Sequence, residues 1–188
     1  MNRIIYKRSD EVPDEDFIHD VLKLDSEVYP RKLQGTFESV NGRFQRNKQS
    51  YILAYDNNQL IGYLCFLNIS KDLRKQLLDN PLSNDDLISP NDIIKFTLKE
   101  PNTLYIISIV VNKKYRGQGV GSSLVGELKK FTMSLIKSGY TFDNVYGVAV
   151  TKAGYKMAVK NGFTIMKRLK LGVYFISLKV TDDLFKNK

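Results

Sequence analysis

The chain has 188 residues, which suits a single domain with a sizeable hydrophobic core. Its one cysteine and one histidine exclude an intrachain disulfide and leave too few ligands for a metal cluster. The longest apolar runs are far shorter than a membrane span, and the first residues lack the apolar core of a secretory signal, so we expect a cytoplasmic protein. Cys65 falls in an apolar run and is expected in the core, whereas His19 is expected to be solvated.

Basic residues are concentrated in the second half of the chain. Residues 1–100 carry 14 Lys and Arg against 16 Asp and Glu, whereas residues 101–188 carry 15 against 4. A positive potential there favours a ligand with several phosphates. The same asymmetry would suit a nucleic-acid-binding protein. However, the lysines are scattered and no helix-turn-helix, zinc-finger or aromatic RNA-binding pattern accompanies them, so we rank nucleic acid low.

Hydrophobic periodicity, glycines and prolines divide the chain into alternating strands and helices. Gly139 and Gly162 are expected to end two of the helices, since glycine favours the position after a helix. The predicted elements are a strand at 3–7, helices at 13–28 and 37–48, strands at 51–55 and 60–69, an irregular, partly helical stretch at 71–100, a strand at 103–111, a helix at 120–138, a strand at 144–150, a helix at 151–161, and antiparallel strands at 163–169 and 173–180.

The strand 103–111 runs into a turn with glycines at 117, 119 and 121, and a helix follows directly. The first N–H groups of a helix have no internal partner, and the helix dipole places partial positive charge there. Glycines let a phosphate approach those groups closely. The segment therefore predicts a site for a phosphorylated ligand.

The details of this turn argue against two common phosphate sites. A nucleotide-triphosphate P-loop ends in Gly-Lys followed by Ser or Thr, but Gly121 is followed by Ser122 and Ser123. A dinucleotide fingerprint has the spacing G-x-G-x-x-G within a βαβ unit, whereas this turn has G-x-G-x-G and no second βαβ half follows.

The remaining pattern, Arg-x-x-Gly-x-Gly at 116–121, resembles the pyrophosphate-binding signature of the GNAT superfamily of N-acetyltransferases, which use acetyl-coenzyme A. The element order also matches the GNAT fold over almost the whole chain. The resemblance implies an α/β (α+β) fold, in which a central, mixed and mostly antiparallel seven-stranded sheet is flanked by helices and splayed between its fourth and fifth strands. We expect a single GNAT domain over residues 1–188, with an extended insertion at 71–100.

The resemblance also implies roles for individual residues. The backbone at 109–111 would pair with the pantetheine arm like an extra strand, and the amides at 117–122 would hold the pyrophosphate. The implied acetyl-CoA-binding residues are Ile109, Val110, Val111, Arg116, Gly117, Gln118, Gly119, Val120, Gly121 and Ser122, with Thr151 and Ala158 from a second motif.

That second motif, at 151–163, departs from the family pattern. Thr151 stands where the family usually has Asn, and Ala158 stands where it often has the tyrosine that protonates the leaving thiolate. Tyr155 lies one helical turn earlier, on roughly the same face, and is the candidate general acid. Packing of its ring against the cofactor or a neighbouring helix is the alternative interpretation.

The general base is not evident from the sequence. Many family members use a Glu on the fourth strand, where this chain has Ile106, Ile107 and Ser108. Ser108 is a candidate for positioning a water that accepts the proton of the acceptor amine, and Asp143 and Glu38 are weaker candidates for the base.

The predicted function is transfer of an acetyl group from acetyl-CoA to a primary amine by direct attack in a ternary complex. The alternative is a catalytically silent acyl-CoA-binding or sensing module. We expect a small-molecule or peptide amine as the acceptor, and we expect no metal and no membrane partner. A homodimer is one possible assembly.

The insertion at 71–100 is predicted to form a partly helical flap over the acceptor, or else a solvated decoration.

Overall fold

A computed structural model describes residues 4–31, 34–81, 88–169 and 172–181. Its elements follow the predicted order, and their boundaries differ from the predicted ones by at most two residues. The strands are β1 (Ile5–Arg8), β2 (Tyr51–Asp56), β3 (Gln59–Asn68), β4 (Asn102–Val111), β5 (Phe142–Ala149), β6 (Thr164–Arg168) and β7 (Tyr174–Lys179). The α-helices are α1 (Asp14–Val28), α2 (Phe37–Arg46), α3 (Lys71–Asp79), α4 (Val120–Lys137) and α5 (Lys152–Lys160). None of these helices is long and apolar enough to cross a membrane.

The strands form one mixed sheet in the order β1-β2-β3-β4-β5-β7-β6, which confirms the predicted fold class. β4 and β5 pair in parallel, whereas β1–β2, β2–β3, β5–β7 and β6–β7 are antiparallel. The parallel ladder ends at Ile106↔Gly147 although β4 continues to Val111.

Contacts divide the chain into two compact units, which we describe separately. The first unit comprises Met1–Phe66 and Ser108–Glu127, and the second comprises Leu67–Ile107 and Leu128–Lys188.

The core of the first unit forms where α1 and α2 cover β2 and β3. The helical period places Phe17, Val21 and Leu24 on one face of α1, and none is more than 2% exposed. The ring of Phe17 packs edge-on against Phe44 of α2, with centroids 4.5 Å apart. Cys65 is buried in this strand layer, as predicted. The imidazole of His19 lies on an exposed part of α1, also as predicted.

The core of the second unit includes residues from the 71–100 stretch. Leu73 and Leu77 of α3 are 3% and 1% exposed. They belong to one buried cluster with Leu67, Ile69, Ile93, Tyr105, Tyr146 and Phe175. This part of the insertion is therefore a packed structural element and not a solvated decoration, while the acidic pair Asp85-Asp86 lies outside the described residues.

The helix ends follow local backbone chemistry. Gly139 and Gly162 have φ values of 92° and 88°, and each lies just beyond the helix that it was predicted to end. The prediction that α2 extends to residue 48 is wrong, because Asn47 leaves helical geometry and its side-chain oxygen accepts the N–H of Gln49 at 3.1 Å. Such a local bond offers the backbone an alternative to the next helical turn.

Candidate active site

The end of β4 is anchored by Asn112, which is 8% exposed. Its backbone N–H donates to the carbonyl of Ile61 at 2.8 Å, and its side-chain Nδ2 donates to Oε2 of Glu27 at 2.8 Å. Its Oδ1 accepts the N–H of Lys114 at 3.0 Å and so begins the short 3₁₀ turn Lys113–Tyr115. Asn112 thus fixes the start of the turn to β3 through its backbone and to α1 through its side chain.

Other side chains hold the rest of the turn. Tyr115 donates its phenol hydrogen to Oδ2 of Asp56 at 2.8 Å, which ties the turn to the end of β2. Arg116 folds back so that its Nε donates to the carbonyl of Val111 at 3.2 Å. Nε2 of Gln118 donates to the carbonyl of Lys114 at 2.9 Å.

The glycine backbone that follows is open. Gly117 and Gly119 have φ values of 78° and 86°, and no atom lies within 4 Å of a Cβ built on either residue. The N–H of Ser123 donates to the carbonyl of Gly119 at 2.9 Å, so the N–H groups of Val120 and Gly121 precede the first bond of α4. Accessible backbone beside a helix N-terminus is the arrangement that binds phosphate in other proteins, and this turn fits a pyrophosphate.

Gly62 of β3 lies directly against the end of β4. A Cβ at this position would be 2.9 Å from the carbonyl oxygen of Val110 and 3.4 Å from a side-chain carbon of Val120. Only glycine allows β3 to approach both the end of β4 and the first residue of α4 so closely. This role of Gly62 was not predicted from the sequence, where the available signal was one glycine inside an otherwise apolar strand pattern.

Ser108 is half-buried on β4 and belongs to a chain of polar side chains. Burial raises the pKa of Tyr63 on β3 well above its usual value, and hydrogen bonding with Ser108 acts in the opposite sense. Tyr63 donates to Oδ1 of Asp25 on α1 at 2.5 Å. Asp25 is 4% exposed, and its Oδ2 accepts the N–H of Gly35 at 3.2 Å. The pKa of Asp25 is raised, because the effect of burial outweighs the opposing effects of the hydrogen bonds from Tyr63 and Gly35 and of the charge of Arg43.

Neither Asp25 nor Tyr63 was predicted from the sequence to belong to a functional site. The available signal was an aspartate on the apolar face of α1, four residues after Val21 and therefore on the same side of the helix.

The two acids considered as bases are in other surroundings. The carboxylate of Asp143, in the second unit, pairs with Arg74, accepts the hydroxyl of Thr103 at 2.8 Å and accepts the N–H of Asn144. Glu38 lies in the first turn of α2, where hydrogen bonds to its own backbone N–H and to Thr36 lower its pKa. Because a lowered pKa makes a weaker base, Glu38 is poorly suited to accept a proton at neutral pH.

The second motif lies on and around α5, in the second unit. The hydroxyl of Thr151 accepts the N–H of Gly154 at 2.9 Å and caps α5. Ala158 is 2% exposed, so its methyl group is part of the packed interior. The half-buried ring of Tyr155 packs against that of Tyr174, with centroids 4.6 Å apart. The cofactor and acid roles of Thr151, Ala158 and Tyr155 stay predictions.

The sequence model of the acetyltransferase (GNAT) family matches residues 15–155. The chain therefore belongs to this family. No curated protein matches the sequence.

Several solved structures share the fold. The loading GNATL domain of CurA from Lyngbya majuscula has a TM-score of 0.71 at 14% identity, with 95% of this chain and 98% of that chain covered. A GNAT-like decarboxylase, GphF, solved with isobutyryl-CoA, has a TM-score of 0.66 at 11% identity, with 95% and 99% covered. A chain of the NatC complex, solved with Gag peptide and CoA, has a TM-score of 0.65 at 18% identity, with 96% and 100% covered.

Proposed function

We propose that this protein is an acetyl-CoA-dependent N-acetyltransferase that transfers the acetyl group directly to a primary amine in a ternary complex, the whole chain acting as one catalytic domain. The observation that supports this proposal most strongly is the open glycine backbone at Gly117 and Gly119, beside the N-terminus of α4, in a chain of the GNAT family. The NatC and GphF structures, which share its fold, were solved with CoA and with isobutyryl-CoA.

The first unit would bind the donor. The backbone N–H groups from Gly117 to Ser122 would hold the pyrophosphate at the positive end of the α4 dipole. The exposed cations Lys113, Lys114 and Arg116 on the same turn would favour an anionic ligand. The backbone at 109–111 would pair with the pantetheine arm and so bring the thioester to the end of β4.

The chemical step needs three contributions from the protein. A backbone N–H in the Val110 region would stabilise the oxyanion formed when the amine attacks the thioester carbonyl. The amine must lose a proton, and Ser108 lies on β4 two residues before Val110. The thiolate must leave, and with a thiol pKa of about 8.5 it needs little help at neutral pH. Tyr155 is the proposed acid, which would add roughly 10²–10⁴-fold in rate.

The alternative is an acyl-CoA-binding module without transferase activity. The observation in its favour is Ala158, whose buried methyl group stands where the family often has its acidic tyrosine. GphF, as a GNAT-like decarboxylase, also shows that this fold supports other chemistry.

One experiment separates these functions. Thermal unfolding is followed with acetyl-CoA, and thiol release is measured with a primary alkylamine, an amino acid, an aminoglycoside and a short peptide with a free N-terminus. We expect acetyl-CoA to raise Tm by mass action and at least one amine to release CoA. A raised Tm without release from any amine would favour the binding module. No change in Tm would overturn both functions.

A further inference from the structure

The polar chain in the first unit ends on a buried carboxylate that the cofactor site does not use. Asp25 and Tyr63 are 4% and 3% exposed, whereas Ser108 is only half-buried. We propose that Ser108, Tyr63 and Asp25 form a relay that carries the proton of the acceptor amine from the end of β4 to α1. Asp25 would supply the general base that β4 lacks. This inference rests on the proposed transferase function.

The hydrogen bonds run in one direction. Tyr63 has a single hydroxyl hydrogen, which it donates to Oδ1 of Asp25. The bond between Tyr63 and Ser108 must therefore be donated by Ser108, and the oxygen of Ser108 keeps lone pairs for a further donor. Every donor in the chain thus points toward Asp25.

This direction defines a balanced proton transfer. The N–H bond of the attacking amine breaks and its proton goes to Oγ of Ser108. The Ser108 hydrogen moves to the oxygen of Tyr63, and the Tyr63 hydrogen moves to Oδ1 of Asp25. Both hydroxyls end as they began, Asp25 becomes a neutral carboxylic acid, and the amine nitrogen becomes the amide nitrogen.

The surroundings of Asp25 favour its protonated form more than water does, which suits a group that accepts a proton. Burial is the largest influence on Asp25, and it raises the pKa. The charge of Arg43 on α2 and the bond from Gly35 act in the opposite sense and keep the carboxylate form accessible. Among the described residues, Tyr51 on β2 interacts with Asp25, and Tyr29 interacts with Tyr63.

The two carboxylate oxygens of Asp25 have separate tasks. Oδ2 holds the segment before α2 through Gly35, and this bond alone would give Asp25 a structural role. Oδ1 accepts the hydrogen of Tyr63, the side chain that leads to Ser108. Substitution of Tyr63 or Ser108 therefore interrupts the relay and leaves the bond to Gly35 in place.

The test compares Tyr63→Phe and Ser108→Ala with the wild type. Each protein is assayed with acetyl-CoA and whichever of the four amines above reacts fastest, and kcat is measured from acidic to alkaline pH. We expect each variant to lower kcat by about 10²-fold or more, within the range for general bases. The Kd for acetyl-CoA should not change. In both variants, the acidic limb of the plot of kcat against pH should shift toward the pKa of the amine, because solvent must then remove the proton from the amine.

Two further variants separate a relay from a structural contact. Ser108→Thr keeps the hydroxyl and should retain most of kcat. Tyr51→Phe removes another buried phenol, one that bonds to Cys65, and should leave the acidic limb in place. A purely structural role would lower Tm in Tyr63→Phe without moving the acidic limb.

The outcomes distinguish the two proposals. If the wild type acetylates an amine while Tyr63→Phe and Ser108→Ala keep its kcat and pH profile, the relay is wrong and the transferase function stands. If the wild type acetylates none of the four amines, the transferase function fails and the relay fails with it.

Discussion

The carbonyl oxygen of Val110 lies 2.9 Å from the position that a Cβ on Gly62 would occupy. Contacts this short are not tolerated, so a side chain at Gly62 must displace the end of β4, on which the proposed thioester site depends. We expect Gly62→Ala to lower the free energy of unfolding by about 1–3 kcal/mol, the usual cost of overpacking. Urea denaturation measures this loss, and calorimetry should show weaker acetyl-CoA binding.

Gly42 provides the matched control for this substitution. It lies inside α2, and a Cβ built on it meets no atom within 4 Å. Gly42→Ala should raise stability by up to about 1 kcal/mol, because alanine favours the helix. Equal stability of the two variants would show that β3 does not constrain the end of β4.

The phosphate site can be tested with a charge in the glycine turn. Gly119→Glu would place a side chain and a negative charge where we propose the pyrophosphate. We expect the increase in Tm with acetyl-CoA to disappear, whereas in the wild type 100-fold excess over Kd should add about 2.7 kcal/mol to stability.

Gly172, in the turn before β7, is the matched control. Its φ is positive, at 76°, as is that of Gly119, at 86°. No atom lies within 4 Å of a Cβ built on either residue. Gly172→Glu therefore introduces the same backbone strain and the same charge outside the glycine turn, and it should keep the increase in Tm. A folded Gly119→Glu variant with unchanged acetyl-CoA affinity would refute the site assignment.

The anchor at Asn112 predicts a pH-dependent stability. Asn112→Asp keeps the oxygen that accepts the N–H of Lys114 but places a carboxylate where Nδ2 now donates to Glu27. Two adjacent carboxylates raise the folded-state pKa of the pair. The variant should therefore resemble the wild type below about pH 4 and lose stability as pH rises through the raised pKa.

We expect this loss to be about 1–3 kcal/mol at pH 7, as for a buried group that loses its partner. Thermal unfolding of both proteins between pH 3.5 and pH 8 measures it. Asn112→Ser, which keeps a capping oxygen without a charge, should lack the pH dependence. A constant difference between Asn112→Asp and the wild type at every pH would contradict this account.

The fold followed from the sequence because each element carries its own local signal. The apolar run of β4, the glycines at 117 and 119 and the apolar face of α4 all lie within one stretch of the chain and can be recognised there. The same holds for α1, whose buried residues Phe17, Val21 and Leu24 repeat at helical spacing.

Contacts between distant segments carried no such signal. Asp25 and Tyr63 are 38 residues apart, and their bond arises only when α1 packs on β3. The approach of Gly62 to Val110 likewise depends on how β3 and β4 meet. The length of 71–100 led us to predict a partly helical flap over the acceptor, and only the folded chain shows that α3 inserts Leu73 and Leu77 into a core.

The role of α3 can be measured with two adjacent leucines. Leu77 is 1% exposed within the second core, whereas Leu78 is 40% exposed. Leu77→Ala should lower the free energy of unfolding by about 2–5 kcal/mol, since it removes buried surface and leaves a cavity. Leu78→Ala should change it by less than about 0.5 kcal/mol. Similar effects in chemical denaturation would mean that α3 does not pack as described.

The last prediction concerns protonation of the departing thiolate. Ala158 has no proton to donate, and Tyr155 is one turn away on the same helix. Its ring is held against that of Tyr174, so Tyr155→Phe removes only the hydroxyl and keeps the ring packing. If Tyr155 is the acid, kcat should fall by about 10²-fold while the Kd for acetyl-CoA stays constant.

Tyr174→Phe removes the hydroxyl from the partner ring and serves as the control, with kcat expected near the wild-type value. A kcat equal to that of the wild type in Tyr155→Phe would assign the ring to packing alone. Since a thiolate with a pKa of about 8.5 can leave unaided, water would then protonate it after departure.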